Sequence, residues 1–400
     1  MEEEVEENRP RQVTGQCLQL SNMEEAEIHQ SEECSVIHRT VGDRGHSPDC
    51  GTDSAKDQLA KPNNTDKDES GTMRELNQIV QVVWKNSSWW ERHGIDWSII
   101  GLSFCILPIG FPVPEIPKPL LSALGIVFLG LAHAVFSVKG SHMASHRTLC
   151  QSRTLGKIWA TFFVELYFKV CSCIPVHCGD EGHVKLHHGY TNIIGLGDSS
   201  IWKVPYLSCG IYMFVAPLAL PFITVLVGFN YVTRMSLFPA LHSLFWIVFG
   251  LWSHFQLLVH VSGLSYSSAL GCMYLSRALL AIPFIHVNIF QHIGLPMFSP
   301  SNHPRRLQLM TNAVLNLSRN KVLDWTFGHS IVSCHIEHHL FPHLSDHMCL
   351  KVKPLVSKYV HDHNLPYHED TYMSRLRLFM SNYNELMVLA PPIAHLVEFH

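Results

Sequence analysis

Residues 120–146 read LLSALGIVFLGLAHAVFSVKGSHMASH, an apolar run that ends in two histidines. The part from Leu120 to Val138 is long and apolar enough to cross a bilayer as a helix, which takes about 20 residues. His142 and His146 follow at the spacing H-x-x-x-H. Because residues four apart share one face of a helix, the sequence predicts a membrane helix that presents two imidazoles at its end.

Two further histidine clusters repeat this arrangement. The second is His183-Val-Lys-Leu-His187-His188, and the third is His335-Ile-Glu-His338-His339. Residues at i, i+3 and i+4 lie on one helix face, so each cluster can direct two or three imidazoles to one point. A single H-x-x-x-H pair is more often a satisfied surface or core pair than a ligand set. Three such clusters in one membrane protein favour a metal site.

Five other segments share the apolar character of Leu120–Val138. The link PEIPKP between the first of them and Leu120–Val138 is short, which predicts a tight hairpin. The second is weaker and contains Glu165 and Lys169, so it is predicted to lie on the membrane surface as an amphipathic helix. In chain order the five are Trp97–Val113, Ile158–Val176, Tyr206–Phe229, Leu237–Val261 and Ala269–Ile289.

The histidine clusters restrict how the last three apolar segments can cross the membrane. Clusters on either side of them can meet only if an even number of crossings lies between. Ala269–Ile289 carries Arg277, which is costly at mid-membrane, so this segment is predicted to be interfacial or partly inserted. The alternative is Leu237–Val261, which has three histidines. The predicted fold is an all-α integral membrane protein with about four membrane helices in two hairpins, plus interfacial helices.

Charge divides the chain into two parts. Only 16% of the residues are charged, against about 25% in soluble proteins, which favours the membrane class. Residues 1–72 hold 17 of the 33 acidic residues and 7 of the 29 basic ones, a net charge of −10 that leaves +6 on the body. This polar segment is predicted to be a disordered acidic tail in the cytosol. Nothing in the charge pattern indicates a nucleic-acid partner.

The number and type of ligands narrow the choice of metal. Imidazole suits zinc, copper, iron and nickel, but eight ligands are too many for one tetrahedral zinc. They suit two metal ions of higher coordination number, held in a histidine-rich polar cap beyond the membrane helices. Soluble di-iron bundles use carboxylates in this role, and few carboxylates accompany these clusters. His292 could be a ninth ligand; it lies four residues after Asn288, whose amide could hold a metal-bound water.

Two runs of sequence carry a resemblance to the membrane fatty acid desaturases. HHGYTNIIGLGD at 187–198 resembles the family run HH-x-x-T-N-x-x-G-x-D. DWTFGHSIVSCHIEHHLFPHL at 324–344 resembles the D-W-x-x-G-H and Q-I-E-H-H-L-F-P runs of front-end desaturases, with His335 in place of the glutamine. The similarity extends over most of residues 85–390, which makes 73–400 the predicted desaturase domain.

The resemblance implies a function and its cofactors. It implies a di-iron centre on the cytosolic side of the endoplasmic reticulum membrane and a long-chain acyl substrate in a buried tunnel. The reaction is then the O₂-dependent insertion of a cis double bond into an acyl group carried on coenzyme A or a lipid. His292 would be a ligand, and Asn288 would act through water, as in the family. A related di-iron lipid hydroxylase and a non-catalytic, desaturase-like membrane protein are the alternatives.

The source of electrons departs from the front-end pattern. Members of that subgroup commonly carry a cytochrome b5 domain with an H-P-G-G haem motif, and this chain has none; the nearest run is His303-Pro304-Arg305-Arg306. We therefore expect a separate cytochrome b5 and its NADH-dependent reductase as partners.

Four polar residues near the clusters could orient ligand imidazoles from outside, although loop capping is the alternative role for each. These residues are Asn192, Asp198, Asp324 and His329.

Overall fold

A computed structural model describes residues 66–111, 119–149, 179–197 and 206–388. Helix α1, Asp66–Asn86, begins inside the predicted tail, so the predicted boundary at residue 72 falls within a helix. The rest of the tail, the predicted surface helix Ile158–Val176 and Asp198 lie outside the described residues. Their predicted roles stay predictions.

Both helices of the first predicted membrane hairpin are present, while most of the link PEIPKP between them lies outside the described residues. A π-helical turn, Trp90–Gly94, runs into α2, Ile95–Gly110. Helix α3, Pro119–Ala134, begins with a proline. The first turn of a helix tolerates proline because the N–H that proline lacks would have no partner within the helix there. A π-helical segment, Val135–Gly140, and α4, Ser141–Ser145, extend α3 to the first histidine cluster.

The remaining helices form a second membrane group and a cap. A further π-helical segment, Gly179–His187, carries the second cluster. Short turns at Ile211–Val215 and Ala216–Ala219 lead into the second membrane group. In chain order that group is α5, Leu220–Thr233; α6, Leu237–His260; α7, Tyr266–Ala278; and α8, Ala281–Phe290. The cap is α9, Arg306–Ala313; α10, Lys321–Phe327; α11, His335–Leu340; α12, Asp346–Asp362; α13, Tyr372–Ser381; and α14, Tyr383–Val388.

One strand pair departs from an all-helical chain. Strand β1, Leu315–Leu317, pairs in parallel with β2, His368–Asp370, with Asn316 opposite Glu369. The cap core lies beside this pair, where α1, α9, α11 and α12 bury apolar side chains such as Val80, Leu309, Ile336 and Val352. The helical membrane class is otherwise confirmed.

Five helical stretches of the described chain are long and apolar enough to cross a membrane. They are Trp90–Gly110, Ser122–Ser145, Ile211–Thr233, Leu237–His260 and Tyr266–Phe290. Large apolar side chains on them, including Phe222, Leu226, Phe238 and Phe245, are exposed, as lipid-facing residues should be. The count exceeds the predicted four by one.

Packing at the two ends of each apolar segment shows which segments reach from the cap to the far end of the helix bundle. Ala269 at the start of α7 packs with Leu107 and Phe111 at the end of the first hairpin that is remote from the histidines. Phe290 at the end of α8 packs in the cap with Phe327. Tyr266–Phe290 therefore reaches from the far end of the bundle to the cap and is a candidate for a full crossing, which goes against the prediction that Ala269–Ile289 is interfacial or partly inserted.

The fifth membrane-length stretch, one more than the four predicted, is accounted for by the α5–α6 pair. Tyr212, just before α5, packs in the cap with Phe290, whereas Leu258, near the end of α6, packs with Ala269 at the opposite end of the bundle. The two helices together therefore make one net crossing. This agrees with the expectation that an even number of crossings separates the histidine clusters. Whether Leu237–Val261, the predicted alternative, is the segment that fails to cross stays a prediction. Arg277 is accommodated inside the bundle, where His133 and His254 are its electrostatic neighbours.

Gly328, which follows α10, is the backbone position least able to carry a side chain. Its φ is +104°, and a Cβ atom there would lie 2.2 Å from Oδ2 of Asp346. We predict that Gly328→Ala destabilises the protein by about 1–3 kcal/mol, because both the conformation and the space exclude a methyl group. Thermal unfolding in detergent measures the effect.

Gly271→Ala is the matched control for this prediction. Gly271 lies in α7 with open space around its Cβ position. Its replacement should not lower stability, because the methyl group meets no neighbour and alanine is favoured over glycine inside a helix by about 0.5–1 kcal/mol. Equal unfolding temperatures for Gly328→Ala and the wild type would contradict the conclusion that position 328 has no room for a side chain.

Candidate metal centre

Nine histidines converge in two groups at the junction of the cap and the membrane helices. Within each group the candidate ligand atoms lie within 4.8 Å of one another. The first group consists of His142, His146, His183, His188 and His338. The second consists of His187, His292, His335 and His339. All nine histidines predicted as ligands are therefore brought together, and their role as ligands remains a proposal.

Helix geometry explains how the second and third clusters are shared between the groups. Successive residues of a helix point about 100° apart, so the neighbours His187 and His188 face different groups. His335 and His339, four residues apart on α11, face the second group together. His338 turns to the first group. The two groups thus share two chain segments, the second and the third histidine clusters, and must lie side by side.

Distances between the rings fit a metal ion. In the second group, Nε2 of His335 lies 2.9 Å from Nε2 of His292 and 3.2 Å from Nε2 of His339. In the first group, Nε2 of His188 lies 3.1 Å from Nε2 of His338. Metal–nitrogen bonds of about 2.1 Å at right angles would separate adjacent ligand atoms by about 3.0 Å. The imidazoles already have the spacing of one coordination shell.

Unsatisfied ring nitrogens point to the same conclusion. Within the described residues, Nε2 of His142 and Nε2 of His146 are buried and have no hydrogen-bond partner. A buried polar atom without a partner costs about 1–3 kcal/mol, so such atoms call for an explanation. A bound cation would satisfy both atoms, and the residues present therefore fit a metal ion.

Burial keeps the imidazoles neutral. It lowers the pKa of His146 and of His335 to about 3 and the pKa of His187 to about 4. The pKa values of His183, His188, His292, His338 and His339 are also well below the usual range, with burial as the main cause. A neutral imidazole has a free lone pair, so the rings are ready to bind metal at pH 7 without losing a proton.

Hydrogen bonds to the second ring nitrogen orient several of the imidazoles. Nδ1 of His292 donates to the Ala313 carbonyl oxygen over 3.2 Å. Nδ1 of His339 lies 3.1 Å from the Thr191 hydroxyl, which also donates to the His187 carbonyl oxygen. Such partners hold the ring in place and leave Nε2 for the metal.

The asparagines predicted to act from outside the ligand set make different contacts. Asn192 is fully buried and its amide donates to the carbonyl oxygens of His292 and Ala313, at 3.1 and 3.4 Å, so it holds the backbone beneath a ligand. Asn288 is half-buried and donates to the Phe284 carbonyl oxygen at 2.7 Å. Its action through water stays a prediction.

Asp324 and His329 pair with each other. The Asp324 carboxylate lies 3.5 Å from Nδ1 of His329 and 3.6 Å from Nε of Arg319. Nδ1 of His329 also lies 3.4 Å from the Ser333 hydroxyl. Their predicted role in orienting ligand imidazoles stays a prediction.

A buried ion cluster beside the centre was missed by the sequence reasoning. Nζ of Lys139 donates to Oδ1 of Asp96 at 3.0 Å and to Oδ2 of Asp346, and all three side chains are buried. Burial alone would raise the pKa of Asp346, but the Lys139 ammonium lowers it below its ordinary value. A lysine at the end of an apolar run, just before His142, is the signal that could have identified the cluster.

The fold and the histidine groups define a helical membrane protein with a histidine-rich site that could hold metal, and the comparison with known families identifies the class. The fatty acid desaturase model matches residues 117–371, so the chain belongs to the fatty acid desaturase family. Fatty acid desaturase 6 of Homo sapiens is 54% identical over 326 residues, which cover 81% of this chain and 90% of that protein.

Two other relatives extend the comparison. Fatty acid desaturase 6 of Bos taurus is 54% identical over 324 residues, covering 81% of this chain and 94% of that protein. Delta(5) fatty acid desaturase fat-4 of Caenorhabditis elegans is 30% identical over 109 residues, or 26% of this chain and 24% of that protein. The resemblance stated from the histidine clusters is confirmed.

Loss of one histidine from either group should remove one metal ion. We predict that the wild type binds about two Fe²⁺ ions per chain under anaerobic conditions, and that His146→Ala and His339→Ala each bind about one, because each variant disrupts one coordination shell. Plasma mass spectrometry of the purified, loaded protein gives the stoichiometry.

His343→Ala is the control for this pair of variants. His343 lies in the same segment as the third cluster but belongs to neither group, and it contacts Gln81 instead. It should retain about two ions. Two ions in both His146→Ala and His339→Ala would contradict the assignment of the groups.

Proposed function

We propose that this chain is an acyl desaturase that inserts a cis double bond into a long-chain acyl group with O₂ as co-substrate. The observation that carries the proposal is the pair of adjacent, buried, all-histidine groups at the ends of membrane helices. Family membership supports an oxidoreductase acting on a lipid. The proposed metal is iron, two ions per chain, with one ion for each group.

The choice of a redox metal follows from the substrate. A methylene group of an acyl chain has no acidic proton, so no side chain can act as a base strong enough to remove it. Bound iron with O₂ would supply the oxidising power that this step needs. In balance, two hydrogens leave adjacent carbons, and two electrons and two protons from a donor complete the reduction of O₂ to two waters.

The residues of the chain have the task of holding and sheltering the centre. His335, His338 and His339 are buried on α11 with the ring nitrogens turned inward. Their neutrality at pH 7 allows them to bind metal, and their burial limits the access of water to a reactive centre. His335, which stands where front-end desaturases have glutamine, lies within the second group and is proposed as a nitrogen ligand.

The position of the site supports the choice of substrate and partners. His142 lies in the last turn of one membrane-length helix and His292 lies two residues beyond another. An acyl chain in the bilayer and a water-soluble electron carrier can both reach such a boundary. We propose the endoplasmic reticulum membrane with the site and the N-terminus in the cytosol, and a separate cytochrome b5 with its NADH-dependent reductase as the electron source.

Lipid analysis tests the proposed reaction. Cells that express the chain with cytochrome b5 and its reductase should gain an acyl species with one additional double bond, which mass spectrometry can detect and locate. The variant with His338→Ala and His339→Ala should lose this product completely, because each substitution removes a ligand from a different group.

A matched double variant provides the control. His361 and His363 are exposed and lie outside both groups, so His361→Ala with His363→Ala should keep the product. A hydroxylated acyl chain in place of the alkene would show a lipid hydroxylase. No new product from a wild-type protein loaded with two irons would indicate a non-catalytic protein.

A further inference from the structure

Ser330, which is not one of the nine histidines, contacts a ring of each histidine group. Its hydroxyl oxygen lies 3.3 Å from Nδ1 of His142, which belongs to the first group. Its carbonyl oxygen lies 2.8 Å from Nδ1 of His335, which belongs to the second group. Ser330 itself is 2% exposed, so both contacts are made away from water.

The partners of Ser330 decide which atom donates in each contact. A carbonyl oxygen can only accept, so the proton of the 2.8 Å contact must be on Nδ1 of His335. The Ser330 hydroxyl donates to Oδ1 of Asp346, which also accepts the Ser330 backbone N–H at 3.1 Å. With its proton committed to the carboxylate, the hydroxyl oxygen accepts from Nδ1 of His142.

Both histidines are therefore held in the same tautomer. The proton lies on Nδ1, and the lone pair is on Nε2. Nε2 of His142 has no hydrogen-bond partner in the described structure, and Nε2 of His335 faces His292 and His339. These are the atoms that the two coordination shells require. One serine thus prepares one ligand in each shell.

The carboxylate that accepts the Ser330 hydroxyl proton is itself fixed by neighbouring charges. Asp346 is fixed by Lys139, which is also bonded to Asp96, so the acceptor of the Ser330 hydroxyl cannot turn away. Gly328, two residues earlier, leaves room for the Asp346 carboxylate, because a Cβ atom there would collide with it. The anchored carboxylate, the serine and the two imidazoles form one continuous chain of hydrogen bonds.

We propose that Ser330 is a positioning residue that fixes the tautomer and orientation of His142 and of His335, one ring in each half of the metal centre. The inference rests on the proposed two-metal function. It assigns separate tasks to two parts of one residue. The hydroxyl serves the first group, and the carbonyl oxygen serves the second.

This division predicts a selective effect of Ser330→Ala. The substitution removes the hydroxyl and keeps the carbonyl oxygen, so affinity for Fe²⁺ should fall about 10–100-fold in the first group and stay unchanged in the second. Anaerobic Fe²⁺ titration in two backgrounds separates the groups. His339→Ala leaves the first group intact, and His146→Ala leaves the second.

Two further variants exclude a general packing effect. Ser330→Thr keeps a hydroxyl on Cβ and should restore binding in the first group. Ser333→Ala removes another buried hydroxyl of the same segment, which contacts His329 and Cys334 but no histidine of either group, and should leave both affinities unchanged. Thermal unfolding of each protein without metal shows whether the fold is intact.

The outcomes distinguish this inference from the proposed function. Weakened binding in the His339→Ala background alone, restored by threonine, supports the role of Ser330. Unchanged affinity in both backgrounds, or equal loss in both, overturns it even if the wild type binds two irons. A wild type that binds no iron refutes the proposed two-metal function instead.

Discussion

The buried ammonium of Lys139 joins the membrane helices to the cap. It lies between Asp96 at the start of α2 and Asp346 at the start of α12, with all three side chains out of contact with water. Taking three charges out of water is expensive, and the cost is offset only when each charge has close partners. Removing one member would leave an uncompensated charge in the interior. The position of the first histidine cluster relative to the third depends on this cluster of ions.

The metal centre is assembled from four separate parts of the chain. The first cluster follows α3, the second lies in a π-helical segment, His292 follows α8 and the third cluster forms α11. No local interaction could bring these parts together. Cap packing, the hydrogen bonds beneath His292 and the ions around Lys139 hold them in register. The resulting density of neutral imidazoles is unfavourable unless their lone pairs are used, which is a physical reason to expect bound metal.

Sequence reasoning succeeded where the pattern was local. Apolar runs of membrane length and histidines spaced three and four apart are properties of a single helix, so they could be recognised without a structure. His343 and His347 lie outside that spacing and outside both groups. The prediction that rested on a single residue, Arg277, was less successful. Arg277 suggested that its segment fails to cross, yet the bundle surrounds it with polar neighbours and the α5–α6 pair contains the incomplete crossing.

The sequence by itself determined a membrane protein with three histidine clusters and nine candidate ligands, because hydrophobic length and helical spacing are written in neighbouring residues. Only the tertiary structure decided how those nine divide into two groups, since adjacent residues such as His187 and His188 belong to different groups. It also decided that Ser330, Asp346 and Lys139 support the centre, although they carry no motif. Their contacts span up to about half of the chain in sequence, as with His142 and Ser330, 188 residues apart, and such contacts exist only after folding.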